Sequence, residues 1–265
     1  MYILSSKNIY NLISLTASDE VSTFEAAKLQ NPLSTARWRS TNLTPNIVGQ
    51  FASAITLDSW GLYYSNAETG DEMRLRLATT EANLTNASEL YDSGVIGVWP
   101  GTPPTNLDEY SHVHSREEFA SIANVSWFRI DLDFTGNANS YVELGAIFAD
   151  ARLTFASVNP KRGFAHGQND RAVYESNYAA GGLGRGGGST KRSITVEIEI
   201  STQAEFYNLK RLLRDRRTIL PVALVIDETE DAYPLEYIYY GYIDSTSIPE
   251  IWEGRFVAPV TIIES

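Results

Sequence analysis

The sequence predicts a mainly β protein, with a large N-terminal β-sandwich, a smaller C-terminal β domain and one helix. Three observations predict it. Runs of alternating apolar and polar residues recur along the chain, the period-two signature of half-buried strands. Clusters of Gly, Pro and Asn punctuate those runs as turns do. Aromatic residues are plentiful, with 15 Tyr, 10 Phe and 5 Trp, and these side chains favour strands. At 265 residues, 43% of them hydrophobic and 20% charged, the chain can bury the core of one large or two ordinary domains.

Arg37-Trp38-Arg39-Ser40 reads as a short strand between the turn signals Asn31-Pro32 and Asn42-Leu43-Thr44-Pro45. A strand follows over 53–64, then the turn Glu68-Thr69-Gly70-Asp71. In Met73-Arg74-Leu75-Arg76-Leu77-Ala78, the residues Met73, Leu75 and Leu77 share one face and the two arginines the other. Residues 92–115 hold Gly94, Gly97, Pro100, Gly101, Pro103 and Pro104 and read as a long surface loop. Phe128-Arg129-Ile130-Asp131-Leu132-Asp133-Phe134 alternates throughout. Through Gly136-Asn137-Ala138-Asn139-Ser140 it leads into a strand over 141–148, which predicts a β-hairpin.

After about residue 150 the texture changes. Asn159-Pro160-Lys161-Arg162-Gly163 opens a polar stretch that ends in Gly181-Gly182-Leu183-Gly184-Arg185-Gly186-Gly187-Gly188, a run too poor in side chains to pack a core and expected to be mobile in the isolated protein. Ile194 to Ile200 alternates as a strand. Residues 202–217 predict the helix, with Phe206, Leu209, Leu212 and Leu213 on one side, Glu205 near its start and Arg211, Arg214, Arg216 and Arg217 near its end. Strands over 221–226, 235–243 and 252–263 close the chain. The expected domains are 1–154 and 155–265, with no internal repeat.

Composition excludes several functions. The net charge of −12 and pI near 4.7 oppose a phosphate backbone, so sequence-specific nucleic-acid binding is not expected. With no cysteine there are no disulfides, thiolate metal sites or Cys nucleophiles, and the chain suits a reducing cytoplasm. Residues 1–20 do not resemble a signal peptide. No run approaches the roughly 18 apolar residues of a membrane helix, so membrane insertion is not expected.

Candidate chemistry is sparse, and no cofactor is expected. Gly182, Gly184 and Gly187 match the spacing of a dinucleotide fingerprint but precede a strand, whereas that motif opens a helix. His112 and His114 lie two apart, with His166 the chain's third histidine, and surface histidines explain them better than a metal site. Asp131, Asp133, Asn137, Asn139 and Glu143 place oxygen ligands around one segment without an EF-hand spacing, and outward Asp on a strand is ordinarily solvated. A glycosidase pair needs two carboxyls at a defined separation, which the sequence does not fix. No Gly-x-Ser-x-Gly, His-Glu-x-x-His or Walker pattern is present. Lys210, Arg211, Arg214, Arg216 and Arg217 read as a helix end and inter-subunit contact.

The run Asn31 to Ser40 resembles the early strand of galactose-binding-like (discoidin-type) jelly rolls. Trp127-Phe128-Arg129-Ile130 and Tyr141-Val142-Glu143-Leu144-Gly145 look like their closing strands. Tyr91-Asp92-Ser93-Gly94 with Trp99-Pro100 resembles the middle of tailed-phage structural proteins built on that module, and residues 155–265 are similar in element order to the tube-like domain of distal tail proteins. The resemblance implies a tail-tip or baseplate protein: a ring homo-oligomer made in the host cytoplasm, carried in the virion and bound to tube and hub proteins. In it, Gly181 to Gly188 form an arm that orders on a neighbouring subunit. The alternative is a carbohydrate-binding module for host-surface adhesion, with Trp60, Trp99 and Tyr110 as glycan-contact aromatics, against the plainer reading of each as a core or loop anchor. A glycan hydrolase is the third reading.

Overall fold

The computed structural model of the chain describes residues 1–31, 36–99, 113–155, 164–170, 174–177, 182–185, 190–216, 220–226, 238–246 and 254–264. The protein is mainly β. Along the chain run β1 (Tyr2–Ser5), α1 (Lys7–Tyr10), β2 (Ser14–Ala17), β3 (Trp38–Arg39), β4 (Asn46–Ser65), β5 (Glu72–Ala78), β6 (Tyr91–Asp92) and β7 (Ile96–Gly97). There follow β8 (Val113–Asp133), β9 (Glu143–Leu144), β10 (Ala146–Asp150), β11 (Leu153–Thr154), β12 (Phe164–Asp170), β13 (Tyr174–Asn177), β14 (Gly182–Arg185) and β15 (Thr190–Ile200). The chain ends with α2 (Gln203–Arg216), β16 (Val222–Val225), β17 (Ile238–Thr246) and β18 (Phe256–Glu264). It forms two compact units, Met1–Thr154 with Ile219–Ile238, and Phe155–Thr218 with Tyr239–Ser265. A single cut at residue 155 therefore does not describe the division, because residues 219–238 group with the first unit.

The first unit is a β-sandwich framed by two long antiparallel strands. β4 and β8 pair from Asn46↔Asp131 to Ser65↔Val113, with register shifts between Gln50 and Ser59. Asn124, in this irregular stretch, has φ 61°, a left-handed conformation that Asn tolerates better than most side chains. Near one end of the pair β5 joins β8 (Leu75↔Ile130) and β2 joins β4 (Leu15↔Gly49). Near the other, β10 joins β4 (Ile147↔Leu62). The halves close on each other where the Trp60 and Phe128 rings meet at 4.8 Å. Around that contact Ile47, Leu62, Leu75, Ile130, Ile147, Trp38 and Leu144 form one buried core. Gly49 admits the Phe128 ring: a Cβ there would stand 2.2 Å from it.

β1 pairs with both β16 and β11. Every residue of β1 and β16 is buried, the signature of a strand covered on both faces.

In the second unit an antiparallel sheet runs β12-β15-β18-β17. Ile194, Val196, Ile198, Ala258, Val260 and Ile262 are buried along it, as the alternation predicts. α2 buries Phe206 and Leu209. Its start is a capping box, in which Thr202 Oγ1 accepts from the Glu205 amide at 3.2 Å and Glu205 Oε2 accepts from the Thr202 amide at 2.9 Å.

Two expectations are corrected here. The segments 128–134 and 141–148 do not form a hairpin: β8 is flanked by β4 and β5, β9 pairs with β3, and β10 pairs with β4. The connection between them is instead pinned by Asn137, whose amide donates to Asn66 O at 2.9 Å and to Asp71 Oδ2 at 2.7 Å. The glycine-rich segment also differs from expectation. Gly182, Leu183, Gly184 and Arg185 form β14 and pair with β13 of the same chain. Gly181, Gly186, Gly187 and Gly188 lie outside the described residues.

Candidate functional site

Alternation along β5 and β8 sends Met73, Leu75, Leu77, Phe128, Ile130 and Leu132 into the core. The intervening residues face out of the sandwich. Register then sets Arg74 beside Asp131, Arg76 beside Arg129, and Glu72 beside Asp133. Asp92 of β6 lies opposite Arg76. An open cleft of about 400 Å³ lies on this face, lined by Glu72, Arg74, Arg76, Asp131 and Asp133, with Thr44 and the exposed Val95 at its margin.

The charges on this face hold one another in place. Arg74 Nε donates to Asp92 Oδ1 at 2.8 Å, and Arg74 Nη2 donates to Asp92 Oδ2, a bidentate pair. Hydrogen bonding from Arg74 holds the Asp92 carboxyl down at about 2. Asp131 takes two guanidiniums: Arg76 Nη2 donates to Oδ2, and Arg129 Nε to Oδ1 at 2.8 Å. Arg76 and Arg129 face each other across the strands, an arrangement of like charges that Asp131 offsets. Glu72 and Asp133 lie at the exposed end of the same rows.

Trp127 completes the face. It precedes Arg129 by one outward step on β8, opposite Gln50 and Ala78, and is half-buried. Among the described residues its indole has no hydrogen bond, ion pair or ring contact. Sequence reasoning missed it, although the outward series Trp127, Arg129, Asp131, Asp133 continues the alternation it did identify.

The aromatics expected to contact glycan lie elsewhere. Trp60 is 0% exposed and packs against Phe128 in the core with the rings tilted, so it cannot meet a ligand. Trp99 packs against the core with its indole nitrogen buried, and it does not line the cleft. Tyr110 lies outside the described residues. His112 does as well, while His114 is buried, and its Nδ1 accepts from the Tyr64 amide at 3.1 Å. That corrects the reading of His114 as a surface histidine.

The oxygen ligands considered for calcium are dispersed. Glu143 is 7% exposed and accepts from Arg37 at 2.5 Å and from Arg39 Nε at 2.9 Å. Asn137 serves Asp71, and Asp131 serves two arginines. Among the described residues no group of three or more His, Asp or Glu side chains is placed to hold a metal ion, and no helix is long and apolar enough to cross a membrane.

No protein-family model matches the chain, and no curated protein does. Solved structures do. Chitosan-binding module 1 from a chitosanase/glucanase of Paenibacillus sp. IK-5 is similar at 18% identity and a TM-score of 0.40, over 54% of this chain and 97% of that one. The CBM32 of AlyQ, solved with 4,5-unsaturated mannuronic acid, is similar at 16% identity and 0.38, over 53% and 95%. The family 32 CBM of C. perfringens NanJ, solved with galactose, is similar at 10% identity and 0.38, over 56% and 98%. The tail-tip expectation, with its ring and its tube and hub partners, is corrected at this point: the structures found similar are carbohydrate-binding modules.

Proposed function

We propose that the chain is a non-catalytic carbohydrate-binding protein that recognises sugar hydroxyls on the outward face of β5 and β8. One observation carries the reading: Arg74 is paired with Asp92, and Arg76 and Arg129 with Asp131, beside an open cleft of about 400 Å³. A sugar hydroxyl both donates and accepts. Carboxylates supply acceptors and guanidiniums supply donors, and each is already fixed by its partner on a rigid sheet, so little side-chain entropy is lost on binding. Because the charges are largely compensated, they offer a polyol hydrogen bonds without demanding a counter-charge from it. The same commitment opposes hydrolysis, since both carboxylate oxygens of Asp131 are engaged by arginines.

The test is direct titration of the purified protein with a panel of mono- and oligosaccharides, alongside Asp131→Asn and Arg76→Ala. Binding that each substitution weakens by about ten-fold or more supports the reading. A protein that binds no sugar, or variants that bind unchanged, refutes it.

A further inference from the structure

We infer that the ligand is an extended glycan chain lying along β8, with Trp127 as a stacking platform at the far end of the site from Glu72 and Asp133. The inference rests on the sugar-binding reading of the same face and specifies its ligand class. Trp127, Arg129, Asp131 and Asp133 occupy alternate positions of one strand and share one face. At about 3.3 Å per residue the series spans about 20 Å, well beyond a single sugar ring. The cleft accounts for only part of that length, because its lining includes Asp131 and Asp133 but not Trp127.

Trp127 is unusual among the described tryptophans. Trp38 and Trp60 are fully buried, and Trp99 packs on the core with its indole nitrogen enclosed. Trp127 alone stands on the outward face, with small or flexible neighbours, Ala78 and Gln50, opposite it. Its N–H makes no hydrogen bond, and its ring no ring contact, with any other described group, while its half-buried side chain leaves part of the indole open to solvent. An indole in that position presents a flat apolar surface with a polar handle, which suits the C–H face of a pyranose ring and one of its hydroxyls. The order along the strand is thus apolar platform, paired charges, then exposed carboxylates. A chain of sugars can satisfy all three at once, whereas a single sugar reaches only one.

The experiment immobilises neutral gluco-, galacto-, manno- and xylo-oligosaccharides, from single sugars to hexasaccharides, and measures binding of the full chain and of Trp127→Ala and Trp127→Phe. The expected result is affinity that rises by about ten-fold or more with length, a Trp127→Ala protein that binds the longest chains no better than short ones, and partial recovery in Trp127→Phe. Unfolding curves superimposable on those of the parent protein establish that the variants fold. Affinity independent of length, or undiminished in Trp127→Ala, overturns the inference while leaving a single-sugar site in the cleft. No binding by the parent protein to any member of the panel overturns the sugar-binding reading itself.

Discussion

Tyr2 and Glu118 lie 116 positions apart, and the phenol of Tyr2 donates to Glu118 Oε1 at 2.7 Å. Tyr2 is fully buried, and burial, with Tyr63 and Glu118 nearby, pushes its pKa far up, so it stays a donor. Glu118 Oε2 accepts from Arg152 Nη1 at 2.9 Å. One carboxylate therefore fastens the N-terminal strand to β8 and to the segment before β11. Tyr2→Phe keeps the ring and loses the bond, and a hydrogen bond to a charged group contributes about 1.5–3 kcal/mol. A loss of that order in urea unfolding, at unchanged slope, is expected. Glu118→Gln keeps an acceptor for Tyr2 but also removes the charge that Arg152 pairs with, so its loss beyond that of Tyr2→Phe measures the ion pair.

Trp60 and Trp127 make opposite predictions. Trp60 sits against Phe128 at the centre of the sandwich, and Trp→Ala in a core costs about 3–5 kcal/mol. Trp60→Ala should lower the unfolding midpoint steeply and weaken sugar binding only in proportion to the fraction unfolded. Trp127→Ala removes a half-buried indole, so it should cost clearly less stability than Trp60→Ala while its main effect falls on binding. Paired denaturation and binding curves check both.

Period-two alternation makes individual strands legible, because burial on one face writes itself directly into the residue order. Phe128, Ile130 and Leu132 are buried and Arg129, Asp131 and Asp133 face outward, as that order implies. Pairing is not legible in the same way. Two strands close in sequence read as a hairpin, but which edges meet depends on distant segments, and here β4 and β5 occupy both edges of β8. The inserted partner of β1, residues 222–225, is invisible for the same reason. The candidate site is half legible. The outward charges stand out in the sequence as ligands or solvated groups, but their mutual pairing, and the position of Trp127 beside them, need the register between strands.

Glu143 anchors the β3–β9 ladder through two arginines, and Arg39 is also held between aromatic rings, 4.6 Å from Phe24 and 4.2 Å from Tyr141. Arg39→Lys retains the charge but loses the planar fork and the stacking, so it should behave as a disruptive change. Removing one partner of a buried pair costs about 3–5 kcal/mol. Glu143→Ala is expected near that range, discounted because Arg37 and Arg39 are partly exposed and can be rehydrated, with Arg39→Lys intermediate. Thermal unfolding of the parent and the two variants at one ionic strength orders them.

Acid should weaken the fold through two carboxylates with different exposure. Burial raises the Glu143 pKa, but hydrogen bonds from Arg39 and Arg37 outweigh it and leave the net shift downward. Arg74 holds Asp92 at about 2, against an ordinary 3.8. In both cases the unfolded chain takes up protons at a higher pH than the folded one, so stability is fully present above the unfolded pKa and falls as pH drops through the folded one. For Asp92 that window runs from about pH 4 to about pH 2. The Arg74–Asp92 pair is the more exposed, with 39% and 28% of its side chains accessible against 9% for Glu143, so its share should be small and should shrink further in high salt. Asp92→Asn is therefore expected to flatten the stability–pH curve slightly below about pH 4 at low salt and hardly at all at high salt, whereas Glu143→Gln should flatten it at both. Urea midpoints measured across that range decide it: equal salt sensitivity in the two variants would show that neither pair carries the acid dependence assigned to it.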